Sequence, residues 1–149
     1  MIITGFILII LILAGGVLLA GESPLVIWDL PSLMMNLGII AATLIAGNQA
    51  GAFLRGCKYI FMKSSIPDRT EIESSILSFD LAFKSALASG FIGLLMGIVL
   101  MLVNLKDATY IWVYLAVCLL TLLYGILLAF GLFMPCSSQL KKMAERKDN

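Results

Sequence analysis

Residues 85–105 read SALASGFIGLLMGIVLMLVNL, a run without a charge or a proline. It matches the ~20 residues that a helix needs to cross the ~30 Å hydrocarbon layer of a bilayer. Three more uncharged windows flank it, at residues 1–21, 30–54 and 108–140. A helix suits such runs because it satisfies its own backbone hydrogen bonds in a medium that offers none. The short alternating segments of a β-barrel do not occur here. The composition agrees: 61% of the 149 residues are hydrophobic, well above the half-apolar balance of soluble domains. The chain reads as one all-α membrane domain over 1–149, polytopic, with spans at about 2–21, 31–54, 85–105 and 109–134.

The first window starts at Ile2 with no basic residue before it and stays uncharged to Gly21. That is longer than a signal-peptide core, so it is read as a retained first span. The fourth window exceeds the bilayer, and Pro135 is expected to end or bend its regular helix.

Orientation follows from the loops. Glu22 and Asp29 lie in a first loop without a base. The segment 55–84 carries Arg55, Lys58, Lys63, Arg69 and Lys84, and the tail at 138–149 carries Lys141, Lys142, Arg146 and Lys147. Only Lys106, beside Asp107, falls elsewhere. The positive-inside rule puts both basic regions, and hence both termini, in the cytoplasm of a bacterial inner membrane. Trp28, Tyr110 and Trp112 fall near the outer interface, where amphipathic rings are favoured.

Within the cytoplasmic segment, Ser64 to Asp68 reads as a turn. Thr70 and Glu73 have the spacing of a capping box, and Ile72, Ile76, Phe79 and Phe83 follow at helical spacing. One helix is expected from about Thr70 into the third span. Residues 52–62 extend the second helix or lie on the inner interface, with Arg55 and Lys58 as candidates for lipid headgroups. Asn104 is expected to cap the third span, and the Asp29–Pro31 turn, with Pro31, to fix the start of the second. Lipid weakens the hydrophobic drive for helices to associate, so close backbone approach matters. Gly93 and Gly97 form a GxxxG step, extended toward Gly90 and Ala86, and are expected at a helix contact.

The missing chemistry narrows function. The four windows hold no Asp, Glu, Lys, Arg or His, and the chain has no histidine at all. Their polar members are mild: Asn36, Thr43, Asn48, Gln49, Ser89, Asn104 and Thr121. A proton- or sodium-coupled protein needs an ionisable group in the membrane. If this chain supports ion flow, the carboxylate belongs to another polypeptide. There is no nucleophile–base set, phosphate loop or metal cluster, and Cys57, Cys118 and Cys136 form no CxxC pair, so neither enzymatic activity nor a cofactor or metal is expected. A net charge of +1 gives no electrostatic case for nucleic acid.

Several stretches resemble MotA-type stator subunits of the MotA/TolQ/ExbB proton-channel family. Asp29-Leu30-Pro31-Ser32-Leu33, after Gly15-Gly16 and before Gly38, is similar to their first external loop and second helix. Gly90-Phe91-Ile92-Gly93-Leu94-Leu95-Met96-Gly97, leading to Met101-Leu102-Val103-Asn104-Leu105, resembles the third helix. Ala116-Val117-Cys118-Leu119-Leu120-Thr121-Leu122-Leu123-Tyr124-Gly125 and Phe133-Met134-Pro135 resemble the fourth. The resemblance implies a homopentamer around a central pore lined by the third and fourth helices. A dimer of single-span MotB/ExbD-like partners would sit in that pore and bring an aspartate. Thr121 then matches a pore-lining threonine, with Leu94, Gly97 and Tyr124 as further lining candidates, and Pro135 matches a proline at the inner end of the fourth helix.

The chain departs from that pattern in three places. The cytoplasmic segment is short, so a flagellar torque contact is not expected. Leu94 stands at a polar pore position, and the proline before the third helix is replaced around Ala86. A more apolar pore can stay dry or fill with lipid. Two functions are therefore carried forward: a channel or stator-type subunit that conducts only with an aspartate-bearing partner, and a homo-oligomeric scaffold with a plugged, non-conducting centre. Thr121 also has a plainer reading, as a threonine that bonds back to its own backbone.

Overall fold

The computed structural model describes residues 2–62, 68–103 and 108–148. The expected turn at Ser64 to Pro67 and the expected cap at Asn104 lie outside them, as does the Tyr110 side chain. Among the described residues every regular element is helical. They run α1 (Ile2–Leu19), a 3-10 turn (Pro24–Ile27), α2 (Leu30–Ala46), α3 (Ala50–Met62), α4 (Arg69–Val103), α5 (Ala108–Ile126), a π-helical segment (Leu127–Phe133) and α6 (Met134–Asp148). Four stretches are long and apolar enough to cross a membrane: Ile2–Leu19, Pro24–Ala46, Arg69–Val103 and Ile111–Glu145.

Helix α4 organises the fold. Its 35 residues rise ~52 Å at 1.5 Å each, and α2, α3, α5, the π segment and α6 all pack on it. Its buried stripe runs Ile72, Ser75, Phe79, Ala82, Ala86, Ser89, Gly93 and Gly97. The alternating steps of three and four keep one face toward the partners. Large side chains fill its N-terminal half, where Phe79 meets Phe53 at 4.7 Å and Phe133 at 6.4 Å between ring centroids. Small ones line its C-terminal half, where backbones approach closely.

Local chemistry sets the boundaries. Asp29 caps α2, its carboxylate accepting from the Ser32 N–H at 3.2 Å, and a proline follows in the first turn. The second window is broken toward its C-terminal end. Asn48 takes a positive φ of 53°, a left-handed conformation that Asn tolerates better than most residues. Residues 52–62 thus belong to α3, a separate helix packed on α4. At the start of α4 the capping box gives way to Asp68. Its carbonyl accepts from the Glu71 and Ile72 N–H groups, and its carboxylate from the Arg69 N–H and the Thr70 hydroxyl. Glu73 pairs with Arg69 instead, at 3.1 Å. From there α4 runs without a break to Val103.

The regular helix α5 gives way to the π segment before Pro135, and the helical run does not stop there. The proline has no N–H to donate, and its ring would strike the carbonyl four residues back in a regular helix. The ladder widens before it: Met134 N–H reaches the carbonyl of Ala129, five residues back. The helix then continues as α6 to Asp148.

Candidate functional site at the seam of three helices

The glycines of α4 lie against α5. A methyl group added at Gly93 would fall 2.7 Å from Thr121 Cβ, and one added at Gly97 would collide with Cys118 Sγ. One added at Gly90 would sit 3.3 Å from Gly125 Cα. The two helices are therefore in close contact along about two turns, which is the geometry that small residues permit between membrane helices.

A polar seam closes around this contact. Asn36 of α2 is fully buried. Its amide nitrogen donates to the carbonyls of Ser32 at 2.9 Å and Thr121 at 3.1 Å, and its amide oxygen accepts from the Ser89 hydroxyl at 2.6 Å. One carboxamide thus joins α2, α4 and α5. Ser89 has one proton and a second acceptor, the Ala86 carbonyl at 2.8 Å, so it can serve either. Thr121 is buried as well, and its hydroxyl bonds to the carbonyls of Val117 at 2.6 Å and Cys118 at 3.0 Å in its own helix. Ser32 Oγ, one turn outward from Asn36, is the one buried side-chain polar atom without a partner among the described residues.

Tyr124 ties the seam to the loop before α2. Its hydroxyl donates to the Ile27 carbonyl and accepts from the Asp29 N–H at 2.8 Å. Because Tyr124 lies sixteen residues into α5, about 24 Å along its axis, the α1–α2 turn docks on the middle of the α4–α5 hairpin rather than at its tip. Leu94 is half-buried, and the side chains that α4 and α5 leave exposed beyond the seam are apolar: Phe91, Leu95, Val99, Trp112, Leu115 and Leu119 among them. Pro31 is exposed in the first turn of α2 and Pro135 partly buried after the π segment.

Arg55 and Lys58 project exposed from α3, outside the seam. Beside them the Tyr59 hydroxyl donates to Glu71 at 2.8 Å, a bond that raises the phenol above its ordinary value of 10, with smaller contributions from burial and from the Glu71 charge. Burial pushes the Cys57 thiol up. No three His, Cys, Asp or Glu side chains among the described residues could hold a metal ion together.

The sequence points the glycines of α4 to a helix contact, and the plainer reading of Thr121, a hydroxyl bonded back to its own helix, is what the structure has. It gives Asn36 no role and names Tyr124 as a pore-lining candidate without a partner. Asn36 carried a usable signal. A carboxamide in the middle of an apolar span must find hydrogen bonds or leave buried polar atoms unmatched. Nothing local announces the reach from Tyr124 to Ile27 and Asp29, because those residues lie almost a hundred positions away.

No family model matches the chain. It is 45% identical over 67 residues to YtxD of Bacillus subtilis (strain 168), an uncharacterized protein. The match takes in 45% of this chain and 25% of that protein, so the chain aligns with a quarter of the relative's length.

Proposed function

We propose that this chain is a channel or stator-type subunit of the MotA/TolQ/ExbB kind, and that it supports proton or sodium flow only with an aspartate-bearing single-span partner. The observation that carries this reading is the α4–α5 hairpin. Its hydrogen-bonding groups turn inward to the Asn36–Ser89–Thr121 seam, and it leaves an uncharged apolar face uncovered. Such a face accepts another helix readily and an ion poorly. The resemblance in α4 and α5 supplies the identity of that helix. Several copies, five by the resemblance, surround the partner, with both termini of each copy in the cytoplasm as the basic segments direct.

Thr121 favours a second reading, the non-conducting scaffold. Its hydroxyl bonds within its own helix, and the exposed side chains of α4 and α5 beyond the seam are apolar among the described residues. The two readings separate on co-expression with a single-span, aspartate-bearing membrane protein. Complex formation and proton or sodium uptake, both absent for the chain alone in liposomes and the uptake lowered by Thr121→Ala, support the subunit. Rings made of this chain alone, with no ion leak from the pair, support the scaffold. Conduction by the isolated chain overturns the dependence on a partner.

A further inference from the structure

Helix α1 buries only Ile2 among its side chains and meets the rest of the fold chiefly at the π segment. At Gly131 the approach is close: an added methyl would lie 3.2 Å from the Phe6 ring. Between α1 and the segment from Gly131 into α6 lies a groove of about 320 Å³, with Ile2 at its edge. Phe6 and Ile9 of α1 and Pro135 of α6 make it apolar along its length, and Gln139 and Lys142 make one end polar. Gly5 lines it, and a side chain built there would meet nothing within 4 Å. The adjacent lysines of α6 face different surroundings. Lys141 sits 3.5 Å from the Asp80 carboxylate of α4. Lys142 borders the groove and makes no ion pair among the described residues.

The geometry points to an anionic phospholipid site in this groove, with an acyl chain between α1 and α6 and the headgroup phosphate on Lys142 and the Gln139 amide. Three observations carry it. The groove is open at the surface of the fold rather than enclosed. It is apolar where a chain would lie. Among the described residues its one ionisable lining group is Lys142, a cation without an ion pair at the polar end, the complement of a phosphate. On the termini-inside orientation proposed above, this end lies at the cytoplasmic leaflet, where anionic lipid attracts basic residues. The phosphate contact itself depends neither on that orientation nor on whether the chain conducts. A lipid here would occupy the space that leaves α1 so thinly attached. It also places the headgroup on α6, where sequence alone points to Arg55 and Lys58 on α3.

The test is native mass spectrometry of the assembled protein released from vesicles of phosphatidylglycerol and phosphatidylcholine. The expected result is selective retention of phosphatidylglycerol, lowered about fivefold by Lys142→Ala, the worth of one lysine at an anionic surface, and retained by Lys142→Arg. Gly5→Leu fills the groove and should expel the chain of either lipid. Lys142 is exposed, so its variants keep the fold and leave the test decisive even if Gly5→Leu disturbs assembly. Three outcomes overturn the site: equal retention of the neutral lipid, unchanged retention in Lys142→Ala, or loss on Arg55→Ala and Lys58→Ala instead.

Discussion

Asn36 is the residue on which three helices agree. An unmatched carboxamide in hydrocarbon would cost several kcal/mol, whereas this one makes three hydrogen bonds, two of them to other helices. Interhelical hydrogen bonds in membranes are individually modest, about 0.6 and at most about 1.7 kcal/mol. We therefore expect Asn36→Leu to lower unfolding stability in mild detergent by about 1–3 kcal/mol. Ser89→Ala should lower it less, because Ser89 retains a local alternative in Ala86. In a double-mutant cycle the two losses should fall short of additive, since the substitutions share one bond; full additivity would mean that the Asn36–Ser89 bond contributes nothing. Outside the membrane, Tyr59 gives a pH prediction. Its bond to Glu71 raises the phenol above 10 in the folded chain, so the folded state holds that proton more tightly than the unfolded one. The contribution is complete below pH 10 and is lost as pH rises through the raised value. Wild type should lose more of its α3–α4 attachment at strongly alkaline pH than Tyr59→Phe does, read by proteolysis between the two helices. Matching pH profiles would contradict this.

At the scale of elements, what the sequence announced was whatever lipid selects for. Long uncharged windows mark the spans because charge is costly there, and the four apolar stretches of the structure fall on them. The long helix through Phe79 into the third window was legible from its 3.6-residue period, which survives the change from large to small side chains. Three features were not. The break at Gly47 and Asn48 carries no proline and no charge; it rests on one left-handed residue. The Thr70–Glu73 spacing fits a capping box, but Asp68 stands two residues earlier with a better acceptor. Pro135 does mark where the regular helix changes, but nothing local shows the form of the change, a widened ladder that lets the helix continue past it. Close packing of α4 on α5 is the element-level claim most open to measurement. Gly93→Val must displace Thr121, which lies in backbone-close contact, while Gly38→Ala on α2 meets nothing within 4 Å. Gly93→Val should abolish or sharply weaken assembly in the membrane, and Gly38→Ala should leave it intact. Comparable behaviour of the two variants on blue-native gels would show that the seam is not tightly packed.

On the scale of the whole molecule, the α1–α2 turn docks at Tyr124, while α1 packs chiefly on the π segment rather than on α2. Beyond that turn the exposed side chains of α4 and α5 are apolar and uncovered among the described residues. Leu11 on α1 and Leu95 on α4 are equally exposed, each at 61%, yet they sit in different settings. Leu11 lies on a helix that touches little besides the π segment, which suits contact with lipid. Leu95 lies on the helix that carries the seam, and Leu119, at 56%, is exposed on its partner α5, the two helices on which copies or a partner would gather under either functional reading. Cysteine cross-linking in membranes separates the two settings, because Cys118 and Cys136 are buried and Cys57 is half-buried, so replacement of Cys57 by Ser leaves a quiet background. Leu95→Cys combined with Leu119→Cys should give a ladder of cross-linked copies, up to the five implied by the resemblance, while Leu11→Cys should stay monomeric. Co-expression of an aspartate-bearing partner should shorten that ladder if its helices occupy the same face, and leave it unchanged if the centre is closed by this chain and lipid. A Leu95/Leu119 variant that remains monomeric under every condition would remove the shared premise of both functional readings, that several copies meet along α4 and α5.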